Sequence, residues 1–208
     1  MTTANKITVT RIALIPIFVM MAIYYGRSVQ RGHPRDWQRF MAIFLFLVAA
    51  ASDGLDGYVA RRYNQRSRLG VVLDPIADKG LLLAAIITLS FSNWTYEFPI
   101  WFPVLVITRD VVILSGAAIL HYLMGSVVVK PSWTGKTATA MQMIAIACIL
   151  LQLHWFEINT SILGFDIHLD FLDIPIGLAG FFTFISGMGY VMRGILQIQA
   201  GGHGDARP

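Results

Sequence analysis

Apolar residues fall in six long runs, at 7–26, 38–55, 72–91, 99–123, 136–155 and 173–196, separated by short polar breaks. A helix needs about 20 such residues to cross roughly 30 Å of hydrocarbon. The pattern therefore predicts an all-α, polytopic membrane protein with six transmembrane helices and no room for a soluble domain. Pro16 lies inside the first run and predicts a kink there. The opening MTTANKITVTRIALIPIF has no small-residue cleavage site after its apolar run, so the first segment reads as a retained helix. The reading gives one transmembrane domain over 1–199. The Gly-rich polar end AGGHGDARP, residues 200–208, reads as a disordered tail.

Composition agrees: 56% of residues are hydrophobic and only 13% charged, with a mean hydropathy of +0.63. An ordinary soluble domain carries about 25% charged residues. Orientation follows from Lys and Arg, which favour cytoplasmic loops. With the N-terminus inside, the cytoplasmic segments hold Lys6, Arg11, Arg61, Arg62, Arg66, Arg68, Lys79, Lys130, Lys136, Arg193 and Arg207. The outer loops hold only Arg27, Arg31, Arg35 and Arg39, a bias of eleven to four that places both termini in the cytoplasm. The loop RSVQRGHPRDWQR, with those four arginines, runs against the trend. A pI near 9.4 fits attraction to anionic headgroups; no basic stripe on a soluble domain points to nucleic acid. Cys148 is the single cysteine and sits in an apolar run, where it reads as packing. Trp94, Tyr96, Trp101 and Trp155 read as interfacial aromatics. His121 and His154 have no second ligand at zinc spacing, and Asp166, His168 and Asp170 in the outer loop FDIHLD are assigned no function.

The chemistry concentrates between Asp53 and Asp78, in the order D-x-x-D-G-x-x-A-R, then eight residues, then G-x-x-x-D-x-x-x-D. Ionisable residues beside a bilayer cost about 2.5–3.5 kcal/mol each at a helix centre on insertion scales, which marks them as functional candidates. At about 100° per residue, Asp53, Asp56, Gly57 and Ala60 share one helix face, with Arg61 close by. Asp74 and Asp78, four apart, share a face on the next helix. Four crowded carboxylates raise one another's pKa unless cations offset their charge. All-oxygen ligands suit Mg²⁺ or Mn²⁺, and two such ions can clamp the attacking and leaving oxygens of a displacement at phosphorus. Gly57 and Ala60 leave room for a ligand, or serve helix packing; Arg61 offers a planar fork for phosphate.

Asp53, Asp56, Gly57, Ala60, Arg61, Gly70, Asp74 and Asp78 match every position of the signature of the CDP-alcohol phosphatidyltransferases, and the chain is identified as resembling that family. The resemblance implies a six-helix membrane enzyme that transfers a phosphatidyl group from a CDP-linked lipid, CDP-diacylglycerol, to an alcohol with release of CMP. It implies that Asp53, Asp56 and Asp74 are the principal ligands of two Mg²⁺ or Mn²⁺ ions. Asp78 contacts the second metal and is the general base. Asp56, Gly57, Ala60, Arg61 and Gly70 form the CDP-lipid part, with Gly70 allowing the turn between the two halves. It further implies a homodimer, here in a bacterial inner membrane with the active site facing the cytoplasm.

The acceptor is written elsewhere. The N-K-I-T-V-T-R opening with its Ile-Pro pair, the Ile-Thr-Arg-Asp of the fourth run and the KPSWTGKTATAMQM segment, with Lys136 and Gln142, resemble the phosphatidylglycerophosphate synthase and cardiolipin synthase branches. Arg109 lies about ten residues into an apolar run, which is costly without an anion. With Lys136 it could form a cationic pocket for a phosphate; alternatively it pairs with Asp110. An anionic acceptor follows, with sn-glycerol 3-phosphate first, phosphatidylglycerol second and inositol phosphate third. A prenyltransferase should show two separated Asp-rich motifs, and a cation channel or transporter acids spread over several helices or inverted repeats; this chain shows neither.

Overall fold

The computed structural model describes the backbone of residues 3–62, 68–124, 133–153, 157–162 and 165–202, and side chains at 8–52, 77, 79–119, 122, 133–153 and 170–197. Among the described residues six helices form: α1 (Thr3–Gln30), α2 (Asp36–Arg62), α3 (Arg68–Phe91), α4 (Trp101–Met124), α5 (Trp133–Leu151) and α6 (Asp173–Gly202). α1, α2, α3 and α6 cover their expected apolar runs and extend into a polar flank at one end or both, whereas α4 begins at Trp101, inside the run expected from 99, and α5 ends at Leu151, short of the expected 155. Among the described residues, four helices contain stretches long and apolar enough to cross a membrane: Thr8–Gln30, Trp101–Ile119, Trp133–Leu151 and Asp173–Gln197.

One feature departs from the all-α expectation. Between α5 and α6, β1 (Glu157–Ile162) and β2 (Phe165–Asp170) form an antiparallel pair, in register from Glu157 opposite Asp170 to Ile162 opposite Phe165. FDIHLD, expected as loop, is thus a strand. Its alternation of Phe165, Ile167 and Leu169 with Asp166, His168 and Asp170 is the period of an extended chain. A smaller departure lies at the C-terminus, where α6 continues through 200–202, the first part of the expected tail; 203–208 lie outside the described residues.

The chain divides into two compact units, one of 1–99 with 146–153 and one of 100–145 with 154–208. In the first, α1 packs on α2 and α3, and α2 also touches α3. Buried positions recur at helical spacing: Phe18, Ala22 and Tyr25 on α1, Ala42, Leu45, Phe46 and Ala49 on α2, and Ala77, Leu81, Leu82, Ala85, Ile86 and Leu89 on α3. Phe18 and Phe46 meet with ring centroids 5.8 Å apart. The outward positions are also apolar, as on Phe40, Phe44 and Leu47 of α2, which suits a surface solvated by lipid.

Two helix ends in this unit close with the same device. Gly32 has φ +72°; its N–H donates to the Val29 carbonyl at 2.9 Å and His33 N–H to the Ser28 carbonyl at 3.1 Å. These are the two bonds of a Schellman cap, with Pro34 following. At the end of α5, Gln152 takes φ 51°; Gln152 N–H donates to Ile149 O at 2.9 Å and Leu153 N–H to Cys148 O at 3.2 Å. Gln152 is not glycine, and its side chain is held: Nε2 donates to the Tyr25 hydroxyl at 3.0 Å and Oε1 accepts from Arg39 Nη1 at 2.5 Å. Trp94, expected at the membrane interface, is buried; its Nε1 donates to Ala22 O at 3.0 Å and its ring stands edge-on to Tyr25 at 4.6 Å. Gly26 permits that approach, since a Cβ there would fall 1.5 Å from Ser92 O.

In the second unit α4 packs on α6. A Cβ at Gly180 would meet the Trp101 ring at 2.7 Å, one at Gly187 would meet Arg109 Cγ at 3.4 Å, and one at Gly116 would meet the Tyr190 ring at 3.6 Å. The paired positions ascend together along both helices, so α4 and α6 run parallel. Small residues let the backbones close, the usual basis of helix association in lipid. Asp173 opens α6, accepting from Asp170 N–H at 2.9 Å through Oδ2, and a carboxylate there suits the positive end of the helix dipole.

Candidate active site

The aspartate motif lies on two helices that touch. Asp53, Asp56, Gly57, Ala60 and Arg61 occupy the last turns of α2, and Gly70, Asp74 and Asp78 the first turns of α3. Backbone in both segments is helical, as the shared-face spacing requires. Gly70, expected to allow the turn between the two halves, is the third residue of α3, and the link between the helices at 63–67 lies outside the described residues. The side chains of all eight motif residues also lie outside the described set. Among the described residues no group of three or more metal-ligating side chains occurs.

The second unit carries a polar strip through otherwise apolar helices. Arg109 Nη1 donates to Asp110 Oδ1 at 2.8 Å and Nη2 to Ser186 Oγ at 2.9 Å, with both charged side chains only 11% exposed. Arg109 Nε is buried without a hydrogen-bond partner, so the guanidinium keeps one donor in reserve. One turn toward the start of α6, Gln142 Nε2 donates to Thr183 Oγ1 at 2.8 Å, and Thr183 Oγ1 donates to Ala179 O at 2.6 Å. Lys136 is exposed on the first turn of α5. As two cations with no acceptor between them, Lys136 and Arg109 can meet only through a shared anion. The ion pair with Asp110, the alternative weighed for Arg109, is present.

One further polar residue was given no site role in the sequence, where it counted as a cytoplasmic cation and closed the N-K-I-T-V-T-R segment. Arg11 is fully buried on α1, three residues after the equally buried Thr8, and its Nε lacks a hydrogen bond although the residue is not without partners. Its signal was a guanidinium inside an apolar run, five residues in where Arg109 is about ten.

The profile of the CDP-alcohol phosphatidyltransferase family matches residues 1–179. The chain belongs to that family. It is also similar to curated proteins named CDP-diacylglycerol--glycerol-3-phosphate 3-phosphatidyltransferase. The Bacillus subtilis (strain 168) protein is 34% identical over 192 residues, covering 91% of this chain and 93% of that one. The Escherichia coli (strain K12) protein is 36% identical over 154 residues, covering 73% and 78%. This member of the family is therefore a membrane-embedded CDP-diacylglycerol-dependent phosphatidyltransferase, with its signature divided between α2 and α3.

Proposed function

We propose that the enzyme transfers the phosphatidyl group of CDP-diacylglycerol to sn-glycerol 3-phosphate, giving phosphatidylglycerophosphate and CMP. The observation that carries this reading is the complete aspartate signature on the helical ends of α2 and α3, in a chain whose relatives are named for that acceptor. In the step, the acceptor hydroxyl oxygen bonds to the phosphatidyl phosphorus, the bond from that phosphorus to CMP breaks, and the hydroxyl proton passes to the Asp78 carboxylate.

A purely carboxylate donor set on two touching helices fits hard divalent cations. Asp53, Asp56 and Asp74, with Asp78, would hold two Mg²⁺ or Mn²⁺ ions. When bound, such ions supply charge neutralisation for the carboxylates and the diphosphate. Arg61 binds the diphosphate, Gly57 and Ala60 make room for the cytidine end, and Gly70 keeps the start of α3 free of side-chain bulk. Arg109 and Lys136 bind the phosphate of the acceptor; the unpaired Arg109 Nε supports this. The enzyme crosses a bacterial inner membrane six times with both termini and the aspartates at the cytoplasmic face, as a homodimer.

Purified enzyme given CDP-diacylglycerol and either labelled glycerol 3-phosphate or labelled phosphatidylglycerol decides the acceptor. CMP release with label from glycerol 3-phosphate is expected. Product from phosphatidylglycerol alone would identify a cardiolipin synthase, and no CMP release with either would end the transferase reading.

A further inference from the structure

The outward turn between α1 and α2 holds charges that the transfer chemistry does not use. Arg27, Arg31, His33 and Arg35, with Ser28 and Gln38, line a pocket of about 410 Å³ that contains no carboxylate. Among the described residues none of the three arginine side chains forms an ion pair. Guanidinium groups gathered without a counter-charge repel one another and attract an anion. The loop is built rather than loose: the Schellman cap fixes Gly32 and His33, and Ser28 Oγ donates to Tyr25 O at 2.7 Å while accepting from Arg35 N–H at 3.0 Å. At the edge of the pocket Gln38 is 7% exposed, and its Oε1 is buried without a donor.

Tyr24 and Arg27 also border a second space of about 550 Å³, a shallow and open groove lined by α1 alone, over Ile15, Pro16, Val19, Met20 and Ile23. From Ile15 to Arg27 the helix rises about 18 Å, close to the roughly 15 Å of hydrocarbon in one leaflet. A cationic head space and an open apolar helix face of one leaflet's length thus share two residues. This end of α1 is remote from the signature, because α2 rises about 25 Å between Asp36 and Asp53.

We propose that pocket and groove together bind one anionic phospholipid at the membrane face opposite the aspartates. Its phosphate lies among Arg27, Arg31 and Arg35, whose forks suit phosphate oxygens; one acyl chain lies along Ile15 to Ile23; and Gln38 Oε1 takes a hydroxyl or water donor. Continuity with the groove favours a lipid over a free phosphate, which would use the arginines alone.

The full-length enzyme in phosphatidylcholine nanodiscs doped with phosphatidic acid tests this by native mass spectrometry. Wild type should retain one phosphatidic acid, and R27Q/R31Q/R35Q should retain it at least about tenfold less well, a loss of about 1.4 kcal/mol. Val19→Phe, which fills the shallow groove and leaves the arginines, should also weaken retention. Inorganic phosphate, titrated into undoped nanodiscs, should bind far more weakly than the lipid. Equal retention by wild type and the triple variant would overturn the proposal. So would wild-type retention by Val19→Phe, or inorganic phosphate binding as tightly as phosphatidic acid. The assay needs no turnover, so either reading can fail without the other.

Discussion

Asp78 and Arg109 are asked to do different things, and substitutions separate them. Asp78→Asn keeps the shape of the side chain but removes the proton acceptor. Turnover should fall by about 10²–10⁴-fold, the usual range for a lost general base, while CDP-diacylglycerol binding measured by calorimetry persists; near-wild-type turnover would exclude Asp78 as the base. Arg109→Ala should raise the KM for glycerol 3-phosphate about 10- to 100-fold, the equivalent of a charge-assisted hydrogen bond at about 1.5–3 kcal/mol. The KM for the CDP-lipid should change little. Equal effects on both would make Arg109 a packing residue bound to Asp110 and Ser186. The sequence showed that a guanidinium inside an apolar run needs partners, and Asp110, its neighbour, could be named. Ser186 could not, because nothing local links positions 77 residues apart. Arg39 is similar: it read as a loop cation, and its bond to Gln152 depends on a helix end that only the folded chain brings near.

At the level of elements, the six helices were legible because each needs a long apolar run, whereas their ends were not. Charged flanks such as ARR at the end of α2 look like loop in composition but continue the helix to Arg62. The β1–β2 pair was missed because its alternation is short and sits among long apolar runs. Close helix approach was hidden as well, since glycines on apolar helices look alike in the sequence. They do not behave alike in the structure. Gly26→Ala places a Cβ against the backbone oxygen of Ser92, whereas a Cβ at Gly177 meets nothing within 4 Å. Gly26→Ala should therefore destabilise the protein by about 1–3 kcal/mol, the cost of overpacking, and Gly177→Ala should be neutral or slightly stabilising. Thermal unfolding of the two detergent-solubilised variants would show the contrast; equal midpoints would mean that the Ser92 turn yields readily.

For the molecule as a whole, the proposed topology puts both termini in the cytoplasm on the balance of Lys and Arg, and the four arginines of the α1–α2 turn argue against that trend. Single cysteines in a Cys148→Ala background can resolve the conflict. A thiol at Gln65 or Asp205 should react with an impermeant maleimide only after the cells are opened, and one at Gln30 should react in intact cells; the reverse pattern would invert the topology. The parallel pairing of α4 with α6 also sets a schedule for synthesis. Gly180 follows Trp101 by about 80 residues, so at roughly 5–20 residues per second α4 waits about 4–16 s for its glycine-faced partner to be made. During that interval Arg109 is without Ser186 and has Asp110 beside it on the same helix. The adjacent carboxylate can thus act as a chaperone within α4, neutralising the arginine in the bilayer until α6 arrives.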